Sequence, residues 1–345
     1  MLRVSVYVDG RHDLTHPSYL YAGLGLLAEA GEIELRFERL SKSRLPRLDP
    51  GNVFSQAEIS DGATTRRLLF DFKDQNDVFC EELLPEVDVY FKRSYLTSEV
   101  EKRAAKKIFR LGMPFACRHP GELATIIAET LISPRPGETL KSRFFRLRQY
   151  LGIDYARTFK AWPPAAKLQR VIFQTRLWEK HEVANDDLDA VNLPRVNLLR
   201  RLRAELGERF LGGLVPTERA RRDFPDLVRT DGVKRHEYLA VMRPSAIGIS
   251  SRGLFHSTPW KLSEYLSTGM AIVSQPLTNE PLDPLVEGEQ LLLYRGEDEC
   301  VSHCVRLLED RDEAARLQSA ARDYYERAVE PMAVVRRLLR RAITQ

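Results

Sequence analysis

The stretch of sequence that decides the fold reads Pro259-Trp260-Lys261-Leu262-Ser263-Glu264-Tyr265-Leu266-Ser267-Thr268-Gly269-Met270-Ala271-Ile272-Val273-Ser274. Thr258 is placed to cap a helix, Pro259 suits the first helical position, and Gly269 suits the residue just past the last turn. The short apolar run after Gly269 is typical of a buried strand. The segment therefore predicts a helix over 259–268 and a strand over 271–274.

Short apolar strands alternate with amphipathic helices along the whole chain. The predicted strands cover residues 2–8, 33–37, 67–72, 87–91, 114–117, 171–175, 210–214, 246–249, 271–274 and 291–294. The predicted helices cover residues 19–30, 78–84, 98–111, 141–151, 193–206, 234–242 and 259–268, followed by helix from 298 almost to the end, with a break at Pro331. This alternation is typical of α/β domains with parallel sheets and right-handed crossovers.

The most linker-like stretch of the chain is Ala161-Trp162-Pro163-Pro164-Ala165-Ala166-Lys167. It separates two runs of strands and helices, and a length of 345 residues suits two domains. We therefore predict an N-terminal Rossmann-like domain over 1–160 and a C-terminal one over 161–325, with a last helix over 326–345. The simplest architecture places the two domains face to face across a cleft.

The composition excludes several classes of protein. The hydrophobic fraction is 43% and the charged fraction is 30%, so the chain is neither disordered nor fibrous. The 53 Lys and Arg residues against 49 Asp and Glu residues give a net charge of only +4, which predicts no nucleic-acid partner. No apolar run reaches the roughly 18 residues of a membrane span, and no leader precedes the first strand, so we expect a cytoplasmic protein.

Two further patterns are weak signals for a metal. Asp187-Leu188-Asp189 has the letters of a metal-binding Asp-x-Asp, but no clear strand precedes it. Cys300 and Cys304 lie within an amphipathic helix, at a spacing that does not suit zinc. We therefore predict no metal site and no bound cofactor.

The helix over 259–268 contains the residues that best suit a ligand-binding site. Because the strands 246–249 and 271–274 flank it, the helix begins near the carboxyl edge of the sheet, where open α/β folds bind ligands. Its free amides and Lys261 in its first turn suit a diphosphate, and Glu264 one turn further can accept hydrogen bonds from a ribose. The alternative is a solvated Lys–Glu pair at i, i+3, and the residues alone leave both interpretations open.

The same segment resembles the donor-site segment of GT-B-fold glycosyltransferases, which often read P-x-K-x-x-E-Y-[ML]-A-x-G-x-P-[IV]-[IV]. Residues 248–325 resemble the C-terminal domain of the CgeB-like and glycosyl-transferase group 1 families, and they include the run Glu287-Gly288-Glu289-Gln290-Leu291-Leu292-Leu293-Tyr294. The resemblance implies a GT-B fold, in which the last helix packs back on the N-terminal domain. It also implies that Lys261 holds the diphosphate of a nucleotide sugar and that Glu264 holds its ribose.

One position departs from the pattern of these families. Eight residues before Glu264, where the retaining members usually carry a second Glu near the transferred sugar, this chain has His256. The resemblance therefore leaves the stereochemical outcome open. His256, Ser257 and Thr258 are the candidates for contacts to the donor in this loop.

Two other residues near the carboxyl ends of predicted strands of the C-terminal domain are candidates for the donor site. Arg176 follows the strand 171–175 and can face the diphosphate, or it can pair with Glu179 or Asp186. Gly213 can let the backbone approach the donor, or it can mark a plain turn.

The acceptor side should present polar groups on loops at the strand ends of the N-terminal domain. In the loop over 9–18, His16 or Asp13 can act as a base on an acceptor hydroxyl, and a surface loop with helix-capping residues is the alternative. His119 is a rival base. Arg93 is a candidate to bind phosphate or the acceptor.

The resemblance implies a metal-independent glycosyltransferase that moves a sugar from a nucleotide-diphosphate sugar to a hydroxyl of a glycan or lipid-linked acceptor, in bacterial surface polysaccharide or glycoconjugate biosynthesis.

Two basic, partly apolar stretches, the helix 141–151 and the tail 336–341, suit a peripheral contact with the inner face of the cell membrane, and a polar helix face is the alternative for both. Two rival functions share the fold: a nucleotide-sugar 2-epimerase, and a non-catalytic nucleotide- or sugar-binding partner protein.

Overall fold

The computed structural model describes residues 1–43, 52–103, 106–161, 167–180 and 188–345. Most of the predicted linker, at 162–166, and Asp187 of the Asp-x-Asp pattern lie outside the described residues. The chain divides into two compact units: unit 1 contains Met1–Ala161, Asn279–Pro284 and Glu326–Gln345, and unit 2 contains Trp162–Thr278 and Leu285–Tyr325. Each unit is built on one sheet with helices, which confirms the predicted α/β class with two sheets.

Strands and helices alternate through both units. The first part of the chain contains β1 (Leu2–Val8), α1 (Ser18–Glu29), β2 (Ile33–Arg39), β3 (Phe54–Ser60), β4 (Thr65–Asp71), β5 (Val89–Lys92), α2 (Thr97–Glu101), β6 (Ile108–Arg110), α3 (Leu123–Ile132), α4 (Leu140–Leu151) and α5 (Ala156–Lys160). The second part contains β7 (Leu168–Thr175), α6 (Leu188–Leu206), β8 (Phe210–Leu214), α7 (Glu218–Asp223), α8 (Arg235–Met242), β9 (Ser245–Ser250), α9 (Trp260–Thr268), β10 (Ala271–Ser274), β11 (Leu292–Leu293), α10 (Glu297–Glu309), α11 (Arg311–Ala328) and α12 (Pro331–Ile343).

The sheet of unit 1 has the order β2-β1-β3-β4-β5-β6. Its strands pair in parallel except for β3, which runs antiparallel to both β1 and β4. A tight turn joins β3 to β4: the Asp61 N–H donates to the carbonyl of Thr64, and Gly62 takes a φ of 99° that favours glycine. The expectation of a purely parallel sheet is therefore corrected by one inserted hairpin, which the sequence analysis missed.

Three predicted elements of unit 1 are wrong. Residues 78–84 form no helix; the segment turns at Cys80, whose N–H donates to the hydroxyl of buried Tyr90 over 3.0 Å. The predicted helix 98–111 is only the short α2, and its last part is β6, which pairs in parallel with β5. Residues 114–117 form no strand, and the nearest pairing is an isolated bridge between Arg118 and Tyr155.

The last helix, α12, packs on α1 within unit 1, as predicted. Its apolar face is buried, and the two helices approach so closely that a Cβ at Gly23 would lie 2.5 Å from the carbonyl oxygen of Pro331. Just before α12, the carbonyl of Val329 accepts a hydrogen bond of 2.6 Å from the Tyr19 hydroxyl of α1.

The sheet of unit 2 is parallel, with the order β11-β10-β9-β7-β8. From β7 the chain passes to β8 on one side and then returns to β9 on the other. With right-handed crossovers, the helices that make these two connections lie on opposite faces of the sheet. The carboxyl ends of β7 and β9 therefore form the switch point, which is where open α/β sheets bind ligands.

The helix α9 ends as predicted but begins differently. Gly269 takes the left-handed φ of 58° and ends the helix, which glycine allows at little cost. Pro259 occupies the capping position rather than the first helical position, so Thr258 does not hold the predicted capping position. The first turn of α9 also contains no acidic residue.

Candidate functional site

Lys261 lies in the first turn of α9 and reaches the carboxyl end of β7. Its Nζ donates a hydrogen bond to the backbone carbonyl of Gln174 and lies 5.2 Å from the ring centre of Tyr238. Burial lowers the pKa of Lys261 to about 8; the charge of Glu264 opposes this shift, and the charge of Arg195 adds to it. Because burial disfavours the charged form, the ammonium costs free energy until an anion binds near it.

Glu264 lies one turn further along α9, and its carboxylate is buried. Arg235 in the first turn of α8 donates a hydrogen bond of 2.7 Å to Oε1 of Glu264. A ribose bound at this carboxylate would share it with Arg235. The structure thus places Lys261 and Glu264 on one helix at the carboxyl edge of the sheet and gives each of them a protein partner.

Arg195, which the sequence analysis did not identify, lies on the buried face of α6. Its guanidinium donates to the carbonyls of Arg176 and Arg252, each over 2.8 Å, and to Oγ of Ser251 over 3.2 Å. Because Arg176 follows β7 and the other two residues follow β9, Arg195 binds the loops at the switch point of the sheet. Burial above all, with the nearby charges of Arg252 and Arg176 and against that of Tyr294, lowers the pKa of Arg195 to about 10.

A sequence signal for Arg195 does exist. Val191, Leu198 and Leu202 are buried at helical spacing around it, so Arg195 is a charged residue inside the apolar stripe of an amphipathic helix. Arginine is almost never fully buried unless a partner neutralises it. A charged residue in such a stripe therefore indicates a special role.

A cavity of about 230 Å³ adjoins Arg195. Phe173, Val191 and Pro194 form part of its wall, and the remaining polar groups come from segments that follow β9, β10 and β11: Ser251, Arg252, Gln275, Tyr294, Arg295 and Glu297. Within the described ranges, neither Arg195 nor Lys261 forms an ion pair with a carboxylate. The cavity and its surroundings therefore carry an excess of positive charge, which suits an anionic ligand.

The two other predicted donor residues, Arg176 and Gly213, differ in their surroundings. Arg176 follows β7, as expected, and its guanidinium carbon lies 4.2 Å from the ring centre of Trp178. Gly213 packs against the protein, because a Cβ there would lie 2.7 Å from the carbonyl oxygen of Leu227. The close backbone approach at Gly213 is thus made by the chain itself, and we do not retain Gly213 as a donor contact. Asp186, one predicted partner of Arg176, lies outside the described residues.

The loop before α9 is strained at its centre. Phe255 and His256 take the left-handed φ values of 54° and 57°, a conformation that costs a non-glycine residue of order 1–3 kcal/mol. Hydrogen bonds of 2.9 Å from the Gly253 N–H to the Ser257 carbonyl, and from the Ser257 N–H to the Leu254 carbonyl, hold the loop. His256 is exposed and Ser257 is buried, so His256 is the better placed of the two to meet a ligand.

In unit 1, Asp13 and His16 lie together in the loop that follows β1. His16 Nδ1 is 3.3 Å from Asp13 Oδ1, and both side chains are partly exposed. Burial raises the pKa of Asp13, but hydrogen bonds from the His16 side chain and from the backbone N–H groups of His16 and Thr15 outweigh it and lower the pKa below its usual value. This distance places the imidazole of His16 beside the Asp13 carboxylate.

The other two candidates in unit 1, His119 and Arg93, are buried and already have protein partners. His119 is buried, its Nδ1 accepts a hydrogen bond of 3.0 Å from the Gly121 N–H, and its Nε2 lies 3.1 Å from Oε1 of Glu29. Arg93 is buried and forms an ion pair with Asp74. Because these groups already have strong partners, we retain neither as a base or as a phosphate ligand.

The described residues contain no group of three or more His, Cys, Asp or Glu side chains arranged to hold a metal ion. The four cysteines are free and buried. Among the helices that the structure describes, none is both long and apolar enough to cross a membrane.

Residues 195–340 match a protein family described as "Glycosyl transferase-like". Residues 195–340 are thus similar in sequence to glycosyl transferases. The segment contains Arg195, Lys261 and Glu264, and it confirms the resemblance drawn from the α9 motif. The match covers less than half of the chain and supports glycosyl transfer as the general activity. No curated protein matches the chain in sequence.

Several solved structures resemble the chain at low identity. One is the C-terminal domain of a glycosyl transferase group 1 family protein from Francisella tularensis, with 12% identity, a TM-score of 0.34, and coverage of 48% of this chain and 94% of that domain. Another is a UDP-GlcNAc 2-epimerase from Neisseria meningitidis bound to UDP-GlcNAc, with 13% identity, a TM-score of 0.36, and coverage of 77% of this chain and 66% of the epimerase. A third is an alpha-glucosyltransferase in complex with UDP-glucose and DNA containing an abasic site, with 12% identity, a TM-score of 0.41, and coverage of 76% and 67%. All three TM-scores are below 0.5.

Proposed function

We propose that the protein is a metal-independent glycosyltransferase that uses a nucleotide-diphosphate sugar as its donor. The observation that carries the proposal is the pair of cations, Lys261 and Arg195, at the carboxyl ends of β7 and β9. Burial lowers the pKa of both groups, and within the described chain neither has an ion-paired carboxylate. A bound diphosphate would neutralise both charges and offset the cost of burying them.

In this proposal the donor site acts on the leaving group. Negative charge develops on the diphosphate as the bond to the sugar breaks, and Lys261, Arg195, Arg176 and the dipole at the amino end of α9 stabilise it. This is the electrostatic role that a metal ion fills in other enzymes. Glu264, held by Arg235, binds the ribose.

The acceptor side is proposed to lie in unit 1. His16 takes the proton from the acceptor hydroxyl if the enzyme inverts, and Asp13 orients the imidazole. A retaining reaction needs no such base. We propose a glycan or lipid-linked acceptor and a cytoplasmic role in bacterial surface polysaccharide or glycoconjugate assembly, on the strength of the family resemblance.

Turnover of the donor tests the proposed function. The protein is incubated with nucleotide-diphosphate sugars that carry glucose, galactose, mannose or N-acetylglucosamine, with and without octyl glycosides as acceptors. The released nucleoside diphosphate, the remaining donor sugar and any new glycoside are then quantified. A transferase releases the nucleoside diphosphate in step with a new glycoside. Conversion of the donor sugar without any acceptor would instead indicate the epimerase, and binding without consumption would indicate the non-catalytic partner protein.

Nucleotide affinity is expected to fall as the pH rises above 8. The Lys261 ammonium has a pKa of about 8 in the free protein, so above that pH binding of the anion must first return a proton to Lys261. The dissociation constant should then increase roughly four- to eightfold between pH 8.5 and 9.5. Calorimetric titrations at constant ionic strength measure this. Lys261→Arg, which stays charged throughout, should abolish the dependence, and an equal dependence in that variant would assign the titration to another group.

A further inference from the structure

Helix α4 exposes two neighbouring aromatic side chains. Phe144 is 54% exposed and Phe145 is 60% exposed, and Leu140 and Leu151 near the two ends of the helix are exposed as well. Single exposed apolar residues are common, whereas a contiguous exposed patch usually marks a binding surface. We name the patch formed by Leu140, Lys141, Phe144, Phe145, Arg148 and Leu151 the outer face of α4.

The charges on this outer face all have one sign. Lys141 and Arg148 are exposed and lie one turn before and one turn after the phenylalanines, at i, i+3, i+4 and i+7. The sequence of α4, Leu-Lys-Ser-Arg-Phe-Phe-Arg-Leu-Arg-Gln-Tyr-Leu, contains no acidic residue. Apolar rings flanked by cations on a helix surface suit an anionic lipid interface, where the rings enter the acyl boundary and the cations meet the headgroups.

The other basic, apolar helix of the chain shows what makes α4 different. In α12 the apolar side chains, among them Val334, Val335 and Leu338, are buried in unit 1. Two of its four arginines are paired, Arg336 with Glu32 and Arg337 with Asp283. The apolar face of α12 is therefore already covered within unit 1, whereas the phenylalanines of α4 are exposed.

The inner face of α4 is fixed to the loop that carries the proposed base. Arg146 donates to the carbonyl of Gly10 over 2.5 Å and forms a two-pronged ion pair with Glu138, at 2.6 and 2.8 Å. Arg135, just before α4, donates to the carbonyls of Arg11 and His12. The outer face of α4 and the loop with Asp13 and His16 are thus held together within unit 1.

We propose that the outer face of α4 docks on the anionic surface of a phospholipid bilayer, with Phe144 and Phe145 inserted at the interface. Docking brings the loop over 9–18 to the membrane, where a lipid-linked acceptor presents its sugar. This last step rests on the proposed function, but the docking itself does not.

Vesicle co-sedimentation of the full chain tests the docking. The wild type is expected to bind vesicles of phosphatidylcholine with 30% phosphatidylglycerol, to bind pure phosphatidylcholine at least tenfold more weakly, and to be released by 0.5 M NaCl. Phe144→Ser/Phe145→Ser and Lys141→Glu/Arg148→Glu should each lower binding at least tenfold. The melting temperature should stay unchanged in both, because the replaced side chains are exposed.

The matched control replaces two exposed apolar residues of unit 2, in the variant Leu193→Ser/Val286→Ser, which should bind vesicles like the wild type. Equal loss in this control, or no binding of the wild type to anionic vesicles, would overturn the proposal. A wild-type dimer that the phenylalanine variant converts to a monomer would also overturn it, since the patch would then pair with a second copy. Because nucleotide binding is measured separately, failure of the docking is distinguishable from failure of the donor site.

Discussion

Replacing Lys261 with methionine is expected to weaken the binding of a nucleoside diphosphate by roughly 30- to 150-fold. The reason is that the substitution removes one charge-assisted hydrogen bond to the diphosphate, worth about 2–3 kcal/mol, and keeps most of the aliphatic stem. Methionine also removes a charge that is costly to bury, so the fold should be retained. Isothermal titration of the wild type and the variant at pH 7 measures the difference.

Lys167 provides a closely matched control for this experiment. Its Nζ also donates to backbone carbonyls, those of Arg243 and Thr268, each over 2.7 Å, and burial lowers its pKa to about 8 as well. It stands immediately before β7, at the amino end of the strand, whereas Lys261 meets the carboxyl end. Lys167→Met should therefore leave the affinity unchanged. Equal weakening in both variants would mean that the loss reflects stability rather than the site.

Replacing Gly23 with alanine is expected to lower the free energy of unfolding of unit 1 by about 1–3 kcal/mol, because a Cβ there would overlap the backbone of Pro331 and the side chain of Val335. Alanine favours a helix by about 1 kcal/mol over glycine, so a net loss isolates the overlap between α1 and α12. Thermal unfolding followed by circular dichroism measures the change.

Gly152→Ala is the control for Gly23→Ala. Gly152 has an ordinary φ of −79°, and the nearest atoms to its Cβ would be 3.4 Å away, so the unfolding temperature should not fall. A Gly23→Ala protein as stable as the wild type would show that α12 does not pack on α1 as described.

Local signals explain which elements the sequence predicts correctly. The α9 segment carries its own boundaries in Pro259 and Gly269, and β7, β8, β9 and β10 are short apolar runs between such boundaries. The elements that were mispredicted depend on distant partners instead. The strand β6 is three residues long and exists because it pairs with β5, and β3 pairs with β1, which lies some fifty residues earlier. Pairings of that range leave no mark in a short window of sequence.

The residues of the candidate site likewise divide into those with a local sequence signal and those whose position depends on distant partners. Lys261 and Glu264 are three residues apart on one helix, so their spacing places both at the carboxyl edge of the sheet. Arg195 reaches that edge from the middle of α6, through hydrogen bonds to loops that follow two other strands. His119 and Arg93 end up bound to Glu29 and Asp74, partners that the local sequence does not identify. Burial and tertiary pairing, rather than residue type, decide which polar residues stay available to a ligand.

The most direct test of the donor site is a thermal-shift measurement on the wild type at pH 7 with UDP, GDP, ADP, CMP and dTDP. A ligand that binds only the folded protein stabilises it by an amount that grows with the logarithm of its concentration relative to its dissociation constant, so we expect one nucleoside diphosphate to raise the melting temperature clearly. That nucleotide also identifies the base of the donor. No shift with any of the five nucleotides would contradict the assignment of Lys261 and Arg195 to a diphosphate.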